Sequence, residues 1–308
     1  MKEKLVVIVG PTAVGKTKLG VELASKLNGE VISGDSMQIY KGMDIGTAKV
    51  LAKEMQGVTH HLIDIKEPTE SFSVAEFQGL VKPLITKLNA TNKLPILVGG
   101  TGLYVSSVIY DYNFPDVPSD LDYRQTMEAF VAKHGVLKLH DQLKEVDPIS
   151  FETIHPNNYR RVIRALEVFH VTNKPIHAFQ EEQPKVSQYD LVVIGLTMER
   201  HLLYERINAR VDMMIEGGLI DEARKLYESG VKDCQSVQAI GYKEIYDYIE
   251  GKTPKAEAID NLKQNSRRYA KRQLTWFRNK MDIQWFELTE TNFQEKMQEI
   301  LKLIEERL

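Results

Sequence analysis

The first hundred residues alternate short apolar runs with longer segments of helical spacing. The apolar runs have the length and composition typical of strands that are buried on both faces of a sheet. They are residues 5–9, 30–33 and 94–98. Residues 16–27 and 72–89 carry apolar side chains at helical spacing, and Ser71 or Ser73 could cap the second of these helices. This alternation predicts parallel strands joined by right-handed crossovers, and therefore an α/β fold.

The pattern changes near residue 114. Pro115 and Pro118 lie among turn-forming residues and predict a linker. Residues 121–179 show helical spacing without short apolar runs, and residues 191–196 return to a strand-like pattern. An α-helical domain inserted into the α/β core is the simplest account, with the core at 1–114 and 186–308 and the insert at 115–185. The rest of the core is predicted to be mostly helical over 200–280, with a last strand at 283–288 and a closing helix at 292–307.

Composition restricts the classes of protein that fit. Apolar residues make up 43% of the chain and charged residues 27%, as in ordinary globular domains. Residues 5–9 are too short an apolar run for a signal peptide, and no run approaches the length of a membrane span. The lone Cys234 fits a reducing compartment and is expected to be a buried filler. We therefore expect a cytoplasmic protein without a membrane partner.

The net charge of −3 does not favour nucleic acid, but the charges are unevenly distributed. No acidic residue lies between Asp260 and Asp282, and a strip of basic residues fills this interval. They are Lys263, Arg267, Arg268, Lys271, Arg272, Arg278 and Lys280. Such a local excess can attract phosphates, and Tyr269, Trp276 and Phe277 within it could stack on bases. The same spacing also fits a core helix with solvated basic residues, so both interpretations stay open.

Residues 10–17 read GPTAVGKT and match the phosphate-loop pattern G-x-x-x-x-G-K-[ST] between a predicted strand and a predicted helix. Its glycines allow successive backbone N–H groups to surround an anion, and the helix adds its positive end. Lys16 would reach terminal phosphate oxygens, and Thr17 would offer a hydroxyl to Mg²⁺. The candidate residues for binding a diphosphate are Gly10, Pro11, Thr12, Ala13, Val14, Gly15, Lys16 and Thr17.

Two further polar residues follow predicted strands. Asp35 comes after 30–33, and Thr101 comes after 94–98 and two glycines. The carboxyl ends of parallel strands share one edge of the sheet, so both are expected beside the phosphate loop. Asp35 could hold Mg²⁺ through water, accept a proton, or cap a turn, and Thr101 could bind a ligand, cap a helix, or do both.

Several segments in order resemble one enzyme family. They are GPTAVGKT, DSMQIYKGMDIGTAK, HHLID, SVAEF and VGGTGLY, followed by RRVIRALEV, AIGYKE and RQLTWFR, across residues 4–278. With them the chain resembles the tRNA dimethylallyltransferases, and the string from Asp35 to Lys49 is the most discriminating. The resemblance implies a core like that of P-loop NTPases. It also implies that the loop holds the diphosphate of dimethylallyl diphosphate, with Mg²⁺ as the cofactor on Thr17.

The resemblance also implies the reaction. An adenosine 3′-adjacent to the anticodon, position 37, in tRNAs that read codons beginning with U would flip out of its stack. Its exocyclic amine would attack the allylic carbon, giving N6-dimethylallyladenosine and diphosphate. Asp35 would be the general base, Lys16 and Mg²⁺ would stabilise the departing diphosphate, and Thr101 completes the candidate catalytic set. The implied partners are the tRNA anticodon stem-loop and the diphosphate donor, and the expected state is a monomer.

The resemblance implies tRNA contacts in the core and in the insert. The candidate residues are Asp35, Ser36, Met37, Gln38, Thr101, Arg124, Tyr159, Arg160, Arg161, Val162 and Ile163. Arg124 is the candidate for an arginine that opens the insert, with Tyr123 as the alternative. Residues 159–163 also fit an amphipathic helix with solvated arginines.

Other functions use some of the same features. A P-loop kinase of a small metabolite would use the same loop with ATP, and the insert would be a lid. An RNA-binding protein that is switched by a nucleotide would need a pocket for the base, and the sequence shows none. His60 and His61 lack further ligands at metal-binding spacing, so packing or hydrogen bonding is expected of them.

Overall fold

A computed structural model describes residues 2–114, 117–179 and 186–308 of the chain. Its contacts divide into two compact units. The first, the core unit, consists of Met1–Asp111 and Val186–Leu308, and the second, the insert unit, is Tyr112–Lys185. The predicted domain boundaries at residues 115 and 185 lie outside the described residues, so the boundaries themselves stay a prediction.

The core unit is built on a six-stranded sheet in which the paired strands of the described residues run parallel. The strands are β1 (Lys4–Val9), β2 (Gly29–Ser33), β3 (His60–His61), β4 (Leu94–Gly99), β5 (Asp190–Thr197) and β6 (Gln284–Glu287). Their spatial order is β3-β2-β4-β1-β5-β6. The predicted α/β fold with a parallel sheet is confirmed. Strand β3 was not predicted, because two residues are too few to show a periodic pattern.

The helices occur in both units. They are α1 (Lys16–Lys26), α2 (Ala52–Met55), α3 (Val74–Ala90), α4 (Gly102–Ile109), α5 (Leu121–His134), α6 (Val136–Asp141), α7 (Leu143–Val146), α8 (Pro148–Thr153), α9 (Tyr159–Thr172), α10 (Arg200–Glu216), α11 (Leu219–Glu228), α12 (Tyr242–Ile249), α13 (Lys255–Lys280) and α14 (Phe293–Arg307). Helix α3 begins at the second of its two candidate caps, because the Ser73 side chain accepts a hydrogen bond from the backbone N–H of Glu76 at 3.1 Å.

The continuous apolar strands are explained by helices that cover both faces of the sheet. In β1, Leu5, Val7 and Val9 pack into one hydrophobic cluster, and Val6 and Ile8 pack into another. Successive side chains of a strand point to opposite faces, so neither face could be polar. The buried sheet therefore forms a fixed base, and the loops at the carboxyl ends of its strands are held at defined positions. Within the described residues, no helix is both long and apolar enough to cross a bilayer.

The insert unit has its own core, built by helices α5 to α9. Within this unit, Glu167 of α9 is fully buried and interacts with two arginines. Arg124 donates two hydrogen bonds to it, at 2.8 and 2.9 Å, and Arg164 donates one at 2.6 Å. Burial alone would raise the pKa of Glu167, but the hydrogen bonds from both arginines lower it. This ion cluster ties α5 to α9.

We expect Glu167→Gln to loosen the insert unit, because both arginines would lose their buried counter-charge. Removing one partner of a buried pair costs about 3–5 kcal/mol, and we expect about 2 kcal/mol here because both guanidinium groups are partly exposed. Hydrogen exchange of the α5 and α9 amides measures this change. The exposed Glu128 of α5 provides the control Glu128→Gln, which should leave exchange unchanged. Equal protection in both variants would contradict the structural role of Glu167.

Candidate active site

The phosphate loop connects β1 to α1, and both of its glycines have positive φ angles. Gly10 has φ +147° and Gly15 has φ +104°, angles that residues with a side chain rarely adopt. Lys16 donates a hydrogen bond from Nζ to the carbonyl oxygen of Pro11 at 2.7 Å. Ala13 and Val14 are buried, so they can reach an anion only through their backbone. The loop therefore presents backbone N–H groups and one ammonium group at the start of α1.

The order of the strands brings the other candidate residues to this loop. Strand β4 lies between β1 and β2, so the residues that follow all three strands share one edge of the sheet. Thr101 begins helix α4 without capping it through its side chain. Its hydroxyl instead accepts a hydrogen bond from the backbone N–H of Ser36 at 3.2 Å. Asp35 accepts one from the backbone N–H of Met37 at 2.8 Å, so its carboxylate does stabilise a turn.

A cavity of about 620 Å³ lies at this edge, and we call it the polar cavity for the charged side chains that line it among aliphatic ones. Lys16, Thr17 and Asp35 line it, together with two arginines of α10, Arg206 and Arg210. The arginines are four residues apart on one helix and therefore point to the same side of it. These three basic side chains, next to the backbone N–H groups of the loop and with Lys18 and Lys53 also lining the cavity, make a site for a multiply charged anion such as a diphosphate.

Burial shifts the pKa of the central pair in opposite directions. Burial lowers the pKa of Lys16 to about 7, with a further contribution from Arg210, while Asp35 opposes the change. Burial raises the pKa of Asp35, against the opposing effects of the Met37 hydrogen bond and of Lys16. The cavity thus contains a lysine that titrates near neutral pH and a carboxyl group with an increased affinity for protons. Such a carboxyl group suits proton transfer.

A second, smaller cavity of about 290 Å³ adjoins the first. Asp35, Arg210 and Tyr269 line both cavities. The smaller cavity also has a set of apolar lining residues that do not line the larger one. They are Met37, Ile207, Val211, Met214, Ala239, Ile240 and Leu262. A charged ligand and an apolar or aromatic group can therefore approach Asp35 from two different cavities.

Comparison with known proteins identifies the family to which the chain belongs. The family model described as IPP transferase matches residues 38–280. A tRNA dimethylallyltransferase of Halalkalibacterium halodurans is 62% identical, with 100% of this chain and 98% of that protein aligned. One of Geobacillus thermodenitrificans is 61% identical with the same coverage. The chain belongs to the IPP transferase family.

Solved structures of family members are similar over almost the whole chain. The full-length tRNA isopentenylpyrophosphate transferase of Bacillus halodurans has a TM-score of 0.76 at 62% identity, with coverage of 99% of this chain and 97% of that one. A eukaryotic dimethylallyltransferase that acts on tRNA has a TM-score of 0.80 at 29% identity, with coverage of 99% and 80%. The alignment to each of these two structures therefore includes both the core unit and the insert unit of this chain.

Residues 47 and 48 line both cavities, and residue 46 lines the smaller one. This wall segment belongs to the string that most strongly indicated this family. The Glu222 carboxylate of α11 accepts hydrogen bonds from the backbone N–H groups of residues 44–46, and Tyr242 donates to it from its hydroxyl. The Gln38 amide donates to the carbonyl oxygens of residues 47 and 48. The side chain of Gln38 therefore supports this wall, and the prediction that Gln38 contacts tRNA stays a prediction.

Helix α13 contributes Gln273, which the sequence did not single out, and Tyr269, which was expected only to stack on bases or to pack in the core. Burial raises the pKa of Tyr269, and the nearby Thr101 side chain lowers it. Gln273 is buried one helical turn further on and contacts the phosphate loop. Two pairs of these residues lie four positions apart on one helix, Arg206 and Arg210 on α10 and Tyr269 and Gln273 on α13. This spacing indicates that the members of each pair share a helix face, but it does not indicate what that face contacts.

The other predicted tRNA contacts lie in the insert unit. Arg124 is bound to Glu167 there, and Tyr159, Arg160 and Arg161 lie at the start of α9. Val162 and Ile163 are buried in the hydrophobic cluster of the insert unit, so their side chains are packing residues. A contact between this segment and RNA would therefore have to use the partly exposed Tyr159 and the exposed arginines.

The basic strip of α13 divides between core and surface. Phe277 is fully buried, and Trp276 is partly buried. Lys263 is paired with Asp212, and Arg267 donates to Asn208. The remaining basic residues are exposed, namely Arg268, Lys271, Arg272, Arg278 and Lys280. The strip thus combines the two interpretations left open by the sequence, with its aromatic residues turned partly or fully inward and most of its cations outward.

The paired histidines do not form a metal site. His60 hydrogen-bonds the Val58 carbonyl oxygen, and His61 hydrogen-bonds Glu30. Among the described residues, no cluster of three or more His, Cys, Asp or Glu side chains could hold a metal ion.

Binding of inorganic diphosphate should draw a proton onto Lys16. With its pKa near 7, Lys16 is mostly neutral at about pH 8, and a bound anion favours the ammonium form. Calorimetry in buffers of different ionisation enthalpy measures the uptake, which should approach one proton. In the variant Lys16→Arg the side chain stays charged, so proton uptake on binding should be about one proton lower than in the wild type. Equal uptake in both proteins would contradict the lowered pKa.

Proposed function

We propose that this protein transfers a dimethylallyl group from dimethylallyl diphosphate to the exocyclic amine of the adenosine at position 37, 3′-adjacent to the anticodon, in tRNAs that read codons beginning with U. The products are N6-dimethylallyladenosine and diphosphate. The names of the relatives support this reaction class. The observation that carries the proposal is the position of Asp35, between a cationic polar cavity and a partly apolar one.

The polar cavity would hold the diphosphate of the donor. Lys16, Arg206 and Arg210 supply positive charge, and the phosphate loop supplies backbone N–H groups. These groups would hold the diphosphate before the reaction and stabilise the additional charge that develops as it leaves. Stabilisation of developing charge in a site that excludes water is often the largest contribution to catalysis.

The residues of this cavity suit Mg²⁺. Thr17 offers a hydroxyl and Asp35 a carboxylate, and Mg²⁺ prefers oxygen ligands and commonly retains water and substrate phosphates in its shell. Thr17 would hold the ion, and Asp35 could reach it through water. When bound, the ion would neutralise charge on the departing diphosphate.

Asp35 would act as the general base. As the new C–N bond forms, the allylic C–O bond breaks, and its electron pair leaves with the diphosphate. The exocyclic nitrogen then carries an extra proton, which the Asp35 carboxylate accepts. Its raised pKa makes it a stronger base than an exposed aspartate. The hydrogen bond from the Ser36 backbone N–H to the Thr101 hydroxyl holds the backbone next to Asp35 in place.

The tRNA would bind through phosphate contacts and a flipped base. Flipping costs a few kcal/mol, and the smaller cavity has a mixed apolar and polar lining suited to a purine and an allyl group. The exposed cations of α13, together with Arg160 and Arg161 of α9, would contact the phosphates of the anticodon stem-loop. We also propose that residues 35–38 contact the tRNA, that the protein is a monomer and that it acts in the cytoplasm.

The relatives named above support neither a metabolite kinase nor a nucleotide-controlled switch.

Transfer of radiolabel from dimethylallyl diphosphate to an unmodified anticodon stem-loop tests the reaction, and Asp35→Asn tests the base. The amide keeps the turn to Met37 but cannot accept the proton, so kcat should fall about 10²–10⁴-fold. The Kd for inorganic diphosphate should stay the same or decrease, because a nearby negative charge is removed. Transfer at the wild-type rate would reduce Asp35 to a positioning role, and no transfer by the wild type would exclude the reaction.

Neutralising the exposed cations of α13 should weaken RNA binding in a salt-dependent way. Each of Arg268→Gln and Lys271→Gln should reduce the slope of log Kd against log salt by about 0.7–0.9, because one phosphate contact is lost. Titration of a labelled stem-loop at several salt concentrations measures the slope. Lys302→Gln, at an exposed position on α14, is the control and should leave it unchanged. Slopes equal to that of the wild type in all three variants would exclude this face as an RNA contact.

A further inference from the structure

Gln273 of α13 connects two loops of the site that are far apart in sequence. Its side-chain amide is buried, with only 5% of the residue exposed. Oε1 accepts a hydrogen bond from the backbone N–H of Thr12 at 2.9 Å, and Nε2 donates one to the carbonyl oxygen of Gly100 at 3.0 Å. The two bonds use opposite ends of one planar group, so the amide fixes the spacing between its two partners.

The two partners belong to opposite halves of the proposed reaction. Thr12 lies in the phosphate loop, which would hold the donor. Gly100 precedes Thr101, whose hydroxyl accepts the hydrogen bond from Ser36, next to Asp35. The amide of Gln273 therefore lies between the elements that would bind the diphosphate and those that would hold the base.

Helix α13 packs closely against the loop of residues 100–102. A Cβ atom at residue 100 would lie 2.2 Å from Nε2 of Gln273, so a side chain at that position would displace the amide. A Cβ atom at residue 102 would likewise lie 2.2 Å from the indole ring of Trp276. Burial raises the pKa of Tyr269, one turn before Gln273, and the neighbouring side chains of Thr101 and Gln273 lower it, so all three groups lie close together. One face of α13 therefore determines where the loop from residue 100 to 102 lies.

We propose that Gln273 is a positioning residue that keeps the diphosphate site and the Asp35–Thr101 side of the active site at the spacing that transfer requires. This inference rests on the proposed function. Misplacement of reacting groups by about 1 Å can cost about 100-fold in rate, so a loss of this spacing should appear mainly in kcat. The bonds to Thr12 and Gly100 require an acceptor and a donor in one side-chain group, and a neutral amide has both.

The variants Gln273→Met and Gln273→Glu separate positioning from packing. Methionine has a similar length but makes neither bond, and we expect kcat for label transfer to fall about 10–100-fold, with a smaller change in the donor KM. An ionised glutamate could accept from Thr12 but would face the Gly100 carbonyl oxygen without a proton. A protonated glutamate has both a donor and an acceptor and can restore both bonds.

The pH profile therefore gives the deciding readout. Burial raises the pKa of a carboxyl group, so the kcat of Gln273→Glu relative to wild type should rise as the pH is lowered. The ratio for Gln273→Met should stay constant across the same range. Gln298→Met and Gln298→Glu, at an exposed position on α14, are the matched controls and should behave as wild type. Thermal unfolding checks that each variant is folded at the assay temperature.

The possible outcomes distinguish the two proposals. Wild-type protein that transfers no label overturns the proposed function itself. If the wild type is active, a Gln273→Met variant with kcat within about twofold of wild type, well below the 10–100-fold loss expected, overturns the positioning role. If the methionine variant does not fold, the glutamate variant alone tests the positioning role. A kcat ratio of Gln273→Glu to wild type that does not change with pH also overturns the inference. A ratio that rises as the pH falls, together with unchanged controls, supports it.

Discussion

The carboxyl ends of three neighbouring parallel strands, β1, β4 and β2, meet at one edge of a sheet whose central strands are mostly buried. Strand β4 lies between β1 and β2, so the loops after these strands cannot separate without breaking the sheet. This constraint places Lys16, Asp35 and Thr101 in one site although they are far apart in sequence. It also places two opposite charges in an environment that disfavours both, which lowers the pKa of Lys16 and raises that of Asp35. The chemistry proposed for the site depends on this pair.

The second half of the chain completes the site with side chains from helices. Arg206 and Arg210 of α10 add positive charge to the polar cavity, and Tyr269 of α13 lines both cavities. Glu222 of α11 holds the wall segment through its backbone N–H groups. These contacts join parts of the chain that the insert separates in sequence. The core unit therefore forms one site from both of its sequence segments.

Much of the fold could be predicted because its signals are local. Continuous apolar runs indicated the strands, and the phosphate loop between a strand and a helix indicated the anion site. Asp35 and Thr101 could be placed near that loop because strand ends share an edge. The contribution of α10 and α13 could not be predicted, because a spacing of four on a helix identifies a face but not what it contacts. The same limit applies to α9, where the resemblance indicated Val162 and Ile163 as RNA contacts and their side chains are buried.

The proposed reaction requires the two cavities to bring the diphosphate donor and the exocyclic amine of adenosine together at Asp35. The most direct measurement is a crystal structure with Mg²⁺, an unmodified anticodon stem-loop and a thiolo analogue of dimethylallyl diphosphate, in which sulfur replaces the bridging oxygen. The account predicts the diphosphate on the phosphate loop beside Lys16, and the exocyclic amine within about 3 Å of the Asp35 carboxylate. A diphosphate bound elsewhere, or an adenine that stays stacked and away from Asp35, would contradict it.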